Sequence, residues 1–109
     1  NPSGNAFTKD DMLQMQTLLK GTDILLLSDE VYEHIIFDGE THQSACLFPD
    51  LKNRSFIVAS FGKTFHNTGW KTGYCCAPKN LMQEFHKVHQ FNVFCIFVVQ
   101  VENDLLKNH

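Results

Sequence analysis

Arginine is nearly absent from this sequence. Arg54 is the only one in 109 residues, and lysine plus arginine number 9 against 12 aspartates and glutamates, a formal net charge of −3. That balance removes the electrostatic reason to expect nucleic acid or an anionic membrane as partner. Long apolar runs are missing too: none reaches the ~20 residues a membrane-spanning helix needs. The opening NPSGNAFTKDD has neither the charged nor the apolar region of a signal peptide, so a cytoplasmic protein is the expectation. There is no repeat, low-complexity stretch or interdomain linker. The four cysteines, Cys46, Cys75, Cys76 and Cys95, form no pattern of use. Cys75 and Cys76 adjoin in a strand-like stretch where neighbouring side chains face opposite sides, which suits neither a disulfide framework nor a metal clamp. All four read as reduced, packed thiols. His86 and His89 stand at helical spacing but lack a nearby carboxylate or thiol pair, so they line a helix and no metal site is expected.

What is present suits a modest α/β core. Hydrophobic residues make up 43%, enough for one domain burying roughly two thirds of the unfolded chain's surface. Thr8 followed by Asp11 resembles a capping box for a helix over 9–20, with Met12, Met15, Leu18 and Leu19 on its apolar side and Gly21 as its stop. Strands are predicted over 24–27, 56–60 and 72–77. Residues 31–37 read as a short helical or extended excursion, and 37–54 as a loop-rich connection. Pro78 opens a helix through Leu81, Met82, Phe85, Val88 and His89. The polar clusters Ser28-Asp29-Glu30 and Ser60 onward then follow strands at their carboxyl ends, the edge at which open parallel α/β sheets bind ligands.

The run SFGKTFHNTGWKTGY, residues 60–74, carries the most chemistry. Lys63 lies between Ser60, Gly62 and Thr64, with a second cation, Lys71, eight positions later. An amine, a hydroxyl and a second positive charge are what a protein needs to hold a phosphorylated aldehyde covalently, and pyridoxal phosphate (PLP) is the ligand that fits. Taken singly, each residue has a blander reading. Asp29 and Glu30 can be a helix cap with a solvated neighbour, Tyr32 an ordinary half-buried tyrosine, Trp70 a packing residue, and Lys63 a solvated lysine. Gly62-Lys63-Thr64 also mimics the end of a nucleotide-binding Walker A loop, but that motif needs glycine where Ile57 stands.

Together the motifs say more. Asn1-Pro2-Ser3-Gly4, Asp29-Glu30-Val31-Tyr32, Ser60-Phe61-Gly62-Lys63, Gly69-Trp70-Lys71 and Gly73-Tyr74 resemble, in order and spacing, the large domain of fold-type-I, class I/II aminotransferases. The wording SDEVYEHIIFDG and SFGKTFHNTGWKTGY is most similar to the methionine, kynurenine and glutamine-type subgroup. The resemblance implies part of a PLP-binding large domain over residues 1–94, mainly a parallel sheet with flanking helices, and a divergent or truncated tail over 95–109. It implies that Lys63 forms the internal Schiff base and moves protons during catalysis, and that Asp29 pairs with the pyridinium nitrogen. By the same resemblance Tyr32 and Asn1 bind the 3-hydroxyl oxygen, and Ser60 and Lys71 bind the phosphate. Amino acids and 2-oxo acids are then the small-molecule substrates, and a homodimer the assembly.

Three departures stand against the pattern. Lysine at 71 replaces the arginine many of these enzymes use, giving one mobile charge for a two-pronged fork. The tail CIFVVQVENDLLKNH leaves the family's course. Arg54 matches no substrate site, and the arginine that binds the α-carboxylate, the aromatic ring that stacks on the cofactor and the phosphate loop belong to segments not in this sequence. The chain therefore reads as a fragment, inactive alone. A PLP-dependent β-lyase and a non-catalytic remnant of the domain are the alternatives.

Overall fold

The computed structural model describes residues 3–92. Helix α1, Lys9–Leu19, starts on the predicted capping box: Thr8 Oγ1 accepts from Asp11 N at 3.2 Å while Asp11 Oδ2 accepts from Thr8 N at 2.8 Å. These bonds satisfy backbone donors that a helix start leaves open. Met12 is buried, with Met15 and Leu19 packed beside it. Leu18, expected on the same side, is 78% exposed instead. At the far end Arg54 Nη1 lies 3.0, 2.9 and 3.1 Å from the carbonyl oxygens of Leu19, Thr22 and Ile24. The single arginine thus gathers the carbonyls of the helix end and the following turn around one guanidinium nitrogen.

Strand β1, Leu26–Asp29, pairs in parallel with β2, Ser55–Ser60, from Leu26 opposite Ser55 to Asp29 opposite Val58. The strand runs two residues later than predicted. Ile24 and Leu25 carry the apolar letters but remain exposed, and the ladder begins only where Leu26 N donates to Arg54 O at 2.9 Å. Strand β3, Gly73–Cys76, runs antiparallel to β2, so the described sheet is mixed, in the order β1-β2-β3. Gly73 stands against the Ala59 carbonyl, where a Cβ would collide with the oxygen.

Residues 37–54 are more than a connection. Ser44 caps a 3-10 turn over Ala45–Leu47, and Pro49 opens a short helix α2, Pro49–Lys52. Ala45, Phe48 and Leu51 from this segment join Met12 as the buried hydrophobic core, with Leu26 and Ile57 of the sheet packed against them. Sequence periodicity missed it because neither turn is long enough to display a 3.6-residue repeat. Residues 31–34 form a turn, with Glu33 N donating to Glu30 O and Ile35 N to Tyr32 O at 3.0 and 2.9 Å.

On the opposite face of the sheet, Phe56 meets Phe85 of helix α4, Lys79–Asn92, with ring centroids 6.1 Å apart. His89 stacks on Phe85 at 5.5 Å and His86 meets its edge. Val88, expected on the apolar side, is 61% exposed. Cys46, Cys75 and Cys76 are free and half-buried; burial first, then its neighbouring thiol, pushes Cys75 up from the ordinary thiol range. Cys95 lies outside the described residues. No helix among the described residues is long and apolar enough to cross a membrane.

Candidate active site

The two parallel strands end side by side, and each delivers polar groups at its carboxyl end. Asp29 is the last residue of β1; Ser60 is the last of β2 and sits opposite Gly73. Helix α3, Phe61–Thr64, follows Ser60 directly and carries Lys63. Gly62 permits this abrupt change: a Cβ there would lie 3.0 Å from Thr68 Cα and 3.2 Å from Ser60 Oγ. The loop folds back through Asn67 N to Gly62 O at 3.0 Å, Trp70 N to Asn67 O at 3.0 Å and Phe61 N to Thr72 O at 3.1 Å. Those bonds bring Lys71 back beside the strand ends, just before β3. Lys71 adopts the left-handed conformation, φ +54°, which costs a non-glycine residue local stability.

Lys63 and Lys71 are exposed, and Ser60 is half-buried with its hydroxyl accepting from Gly62 N at 3.1 Å. Asp29 is exposed, one carboxylate oxygen accepting from Val31 N at 3.2 Å. Tyr32 sits in the turn after β1, 38% exposed. Asn1 lies outside the described residues. Trp70, expected as a packing residue, is 77% exposed instead. Asn67 Oδ1, in the middle of the loop, is buried with no hydrogen-bond partner among the described residues.

The residue that sequence reasoning undervalued is Glu30. It was expected as a solvated neighbour of Asp29, yet it is 6% exposed. Its Oε1 accepts from Ser28 Oγ at 2.9 Å and Ala45 N at 3.0 Å, and its Oε2 is 2.9 Å from His42 Nε2. Burial alone would push this carboxyl up; the hydrogen bonds from His42, Ala45 and Ser28, with the Ser44 hydroxyl nearby, outweigh it and hold Glu30 below its ordinary value. The signal available in sequence was alternation: Asp29 and Glu30 are adjacent, so they cannot share a side. Further along, Tyr74 Oη donates to Glu33 Oε1 at 2.9 Å, and its ring lies 5.5 Å from that of Phe61.

Comparison with known proteins gives the family and the fold. The family model for aminotransferase class I and II matches residues 1–108. The chain belongs to that family. A methionine aminotransferase from Escherichia coli is 44% identical over 96 residues, 88% of this chain and 25% of that protein. Kynurenine–oxoglutarate transaminase 1 of mouse is 37% identical over 94 residues, 86% of this chain and 22% of the other. Among solved structures, YbdL of Escherichia coli, identified as having a methionine aminotransferase function, superposes with a TM-score of 0.85 at 44% identity, covering 88% of this chain and 25% of its own. This aminotransferase chain therefore spans about a quarter of the length of the curated relatives it matches.

Proposed function

We propose that the chain is the PLP-holding segment of an aminotransferase that moves an amino group between an amino acid of methionine, aromatic, kynurenine or glutamine type and a 2-oxo acid. The observation that carries this reading is that one loop leaving the end of β2 holds Ser60, Lys63 and Lys71, while β1, paired in parallel with β2, ends at Asp29. The donor set fits the ligand: an exposed amine for an aldehyde, a hydroxyl and an ammonium for a phosphate, and a carboxylate for a ring nitrogen. A Cβ at Gly62 would crowd Thr68 Cα at 3.0 Å and Ser60 Oγ at 3.2 Å, so the turn is close-packed there. A homodimer in the cytoplasm is part of the same proposal.

When bound, PLP supplies an aldehyde that amines can join and a ring that accepts electrons from the substrate's α-carbon. Lys63 Nζ would hold the cofactor covalently and would serve as the base and acid for the proton exchanged at the substrate's α-carbon. Asp29 would keep the ring nitrogen protonated. Tyr32 and Asn1 would hydrogen-bond the 3-oxygen, while Ser60 Oγ and the Lys71 ammonium would bind the phosphate. Borohydride reduction of the full-length protein with PLP should fix the cofactor on one peptide, and mass spectrometry should place it on Lys63. Label on Lys71, or spread over surface lysines, would overturn the assignment.

A further inference from the structure

We propose that Glu33 and Tyr74 form a positioning pair that sets the turn carrying Tyr32 against the helix carrying Lys63; the proposal rests on the reading of both residues as cofactor contacts. The turn is weakly held on its own. Its backbone closes on itself through Glu33 N to Glu30 O and Ile35 N to Tyr32 O. Glu30 anchors its beginning inward, towards His42 and Ala45. Beyond that point Tyr32, His34 and Ile35 are exposed. Among the described residues, the bond from Tyr74 Oη to Glu33 Oε1, 41 residues apart in sequence, is the one hydrogen bond between side chains that joins residues 31–35 to another element; the only other side-chain link out of them is local, Val31 N donating to Asp29 Oδ1. Glu33 Oε1 also lies 3.7 Å from His34 Nε2, a contact internal to the turn.

The other end of the link is firmly seated. Tyr74 stands opposite Ala59 in the β2–β3 ladder, one step from the Ser60–Gly73 pair that borders the site. Its ring packs on Phe61, the first residue of α3, and Phe61 in turn on Phe65 at 6.0 Å. Contact therefore runs without a break from the Tyr32 turn through Glu33, Tyr74 and Phe61 to the helix of Lys63. A neutral phenol donating to a half-buried carboxylate makes a charge-assisted bond, stronger than a neutral one. Burial first, then the bond and charge of Glu33, push the Tyr74 phenol up to about 12. The donor consequently stays protonated across the neutral range.

Tyr74→Phe removes the hydroxyl and keeps the ring on Phe61, so it isolates the link. In the full-length cofactor-free protein, hydrogen exchange at the Glu33 and Ile35 amides should quicken about tenfold, the scale of one hydrogen bond to a charged group. Exchange in β2 and the melting temperature should hold. Glu33→Gln keeps an acceptor for the phenol and should retain protection, whereas Glu33→Ala should match Tyr74→Phe. With PLP added, Tyr74→Phe and Glu33→Ala should each weaken cofactor binding and move the pH at which its visible absorbance changes, and the double variant should add little. Unchanged exchange and PLP affinity in Tyr74→Phe, or fully additive effects in the double variant, would overturn the pair. Reductive labelling of the wild type away from Lys63 would instead overturn the reading beneath it, and the proposal with it.

Discussion

Asp29 and Glu30 are neighbours of the same charge with opposite environments. One is exposed at the strand end; the other is buried under three hydrogen bonds from Ser28, His42 and Ala45. Their variants should separate accordingly. Asp29→Ala should change folding stability by no more than about 0.5 kcal/mol, as exposed substitutions do, yet slow the proton transfers of transamination by orders of magnitude, with Asp29→Glu milder. Glu30→Ala should destabilise by roughly 1–3 kcal/mol, because it leaves buried donors without an acceptor. The sign of the pH effect follows from the direction of the shift. Glu30 is held below its ordinary value of 4.5 in the folded chain, so its contribution is present above that value and is lost as pH falls through the folded one. Acid unfolding should begin earlier once the carboxylate is removed, as circular dichroism below pH 5 would show. Near-normal turnover in Asp29→Ala would leave Asp29 as the cap of the following turn.

At the scale of elements, what was legible was whatever announces itself locally. The Thr8–Asp11 box, the Pro78 start of α4 and the run before Ser60 each need only a few adjacent residues, and the structure forms all three elements. The start of β1 was not legible, because Arg54 binds the Ile24 carbonyl and its own carbonyl opens the ladder at Leu26, 28 residues away. Nor was the core role of Ala45, Phe48 and Leu51, since turns of three and four residues carry no periodic signal. The lysine loop lies between these cases: its residue types were readable, while the close approach that requires glycine at 73, and the tighter packing at Gly62, appear only in three dimensions. Gly73→Ala tests this. Its Cβ would strike the Ala59 carbonyl, a backbone atom of the adjoining strand that cannot swing aside. A loss of about 1–3 kcal/mol is expected from overpacking of this kind, read as a lower urea midpoint, with Gly69→Ala, which meets open space, as the comparison.

Across the whole molecule, the candidate site residues sit on a chain that spans about a quarter of its relatives' length. The curated relatives are about four times as long, and the groups expected to stack on the cofactor ring, complete the phosphate cup and grip the substrate carboxylate are not on this sequence. Arg54 cannot stand in for the last, because its guanidinium is engaged by the carbonyls of Leu19, Thr22 and Ile24. Orientation by such groups supplies on the order of 7–11 kcal/mol of barrier lowering. The described residues also leave large apolar side chains in water, among them Leu27 at 69%, Phe37 at 72%, Trp70 at 77% and Phe91 at 83% exposed, surface of the kind that drives association. The 109 residues expressed by themselves should therefore bind PLP weakly and reversibly, produce no 2-oxo acid, and elute from a sizing column as associated species. Joined to the segments that its longer relatives carry, it should gain both a single oligomeric state and turnover. A monomer of this length that held one PLP per chain and released 2-oxo acid would refute the dependence on the missing groups, yet it would leave the proposal for Lys63 standing, because that proposal does not depend on those groups.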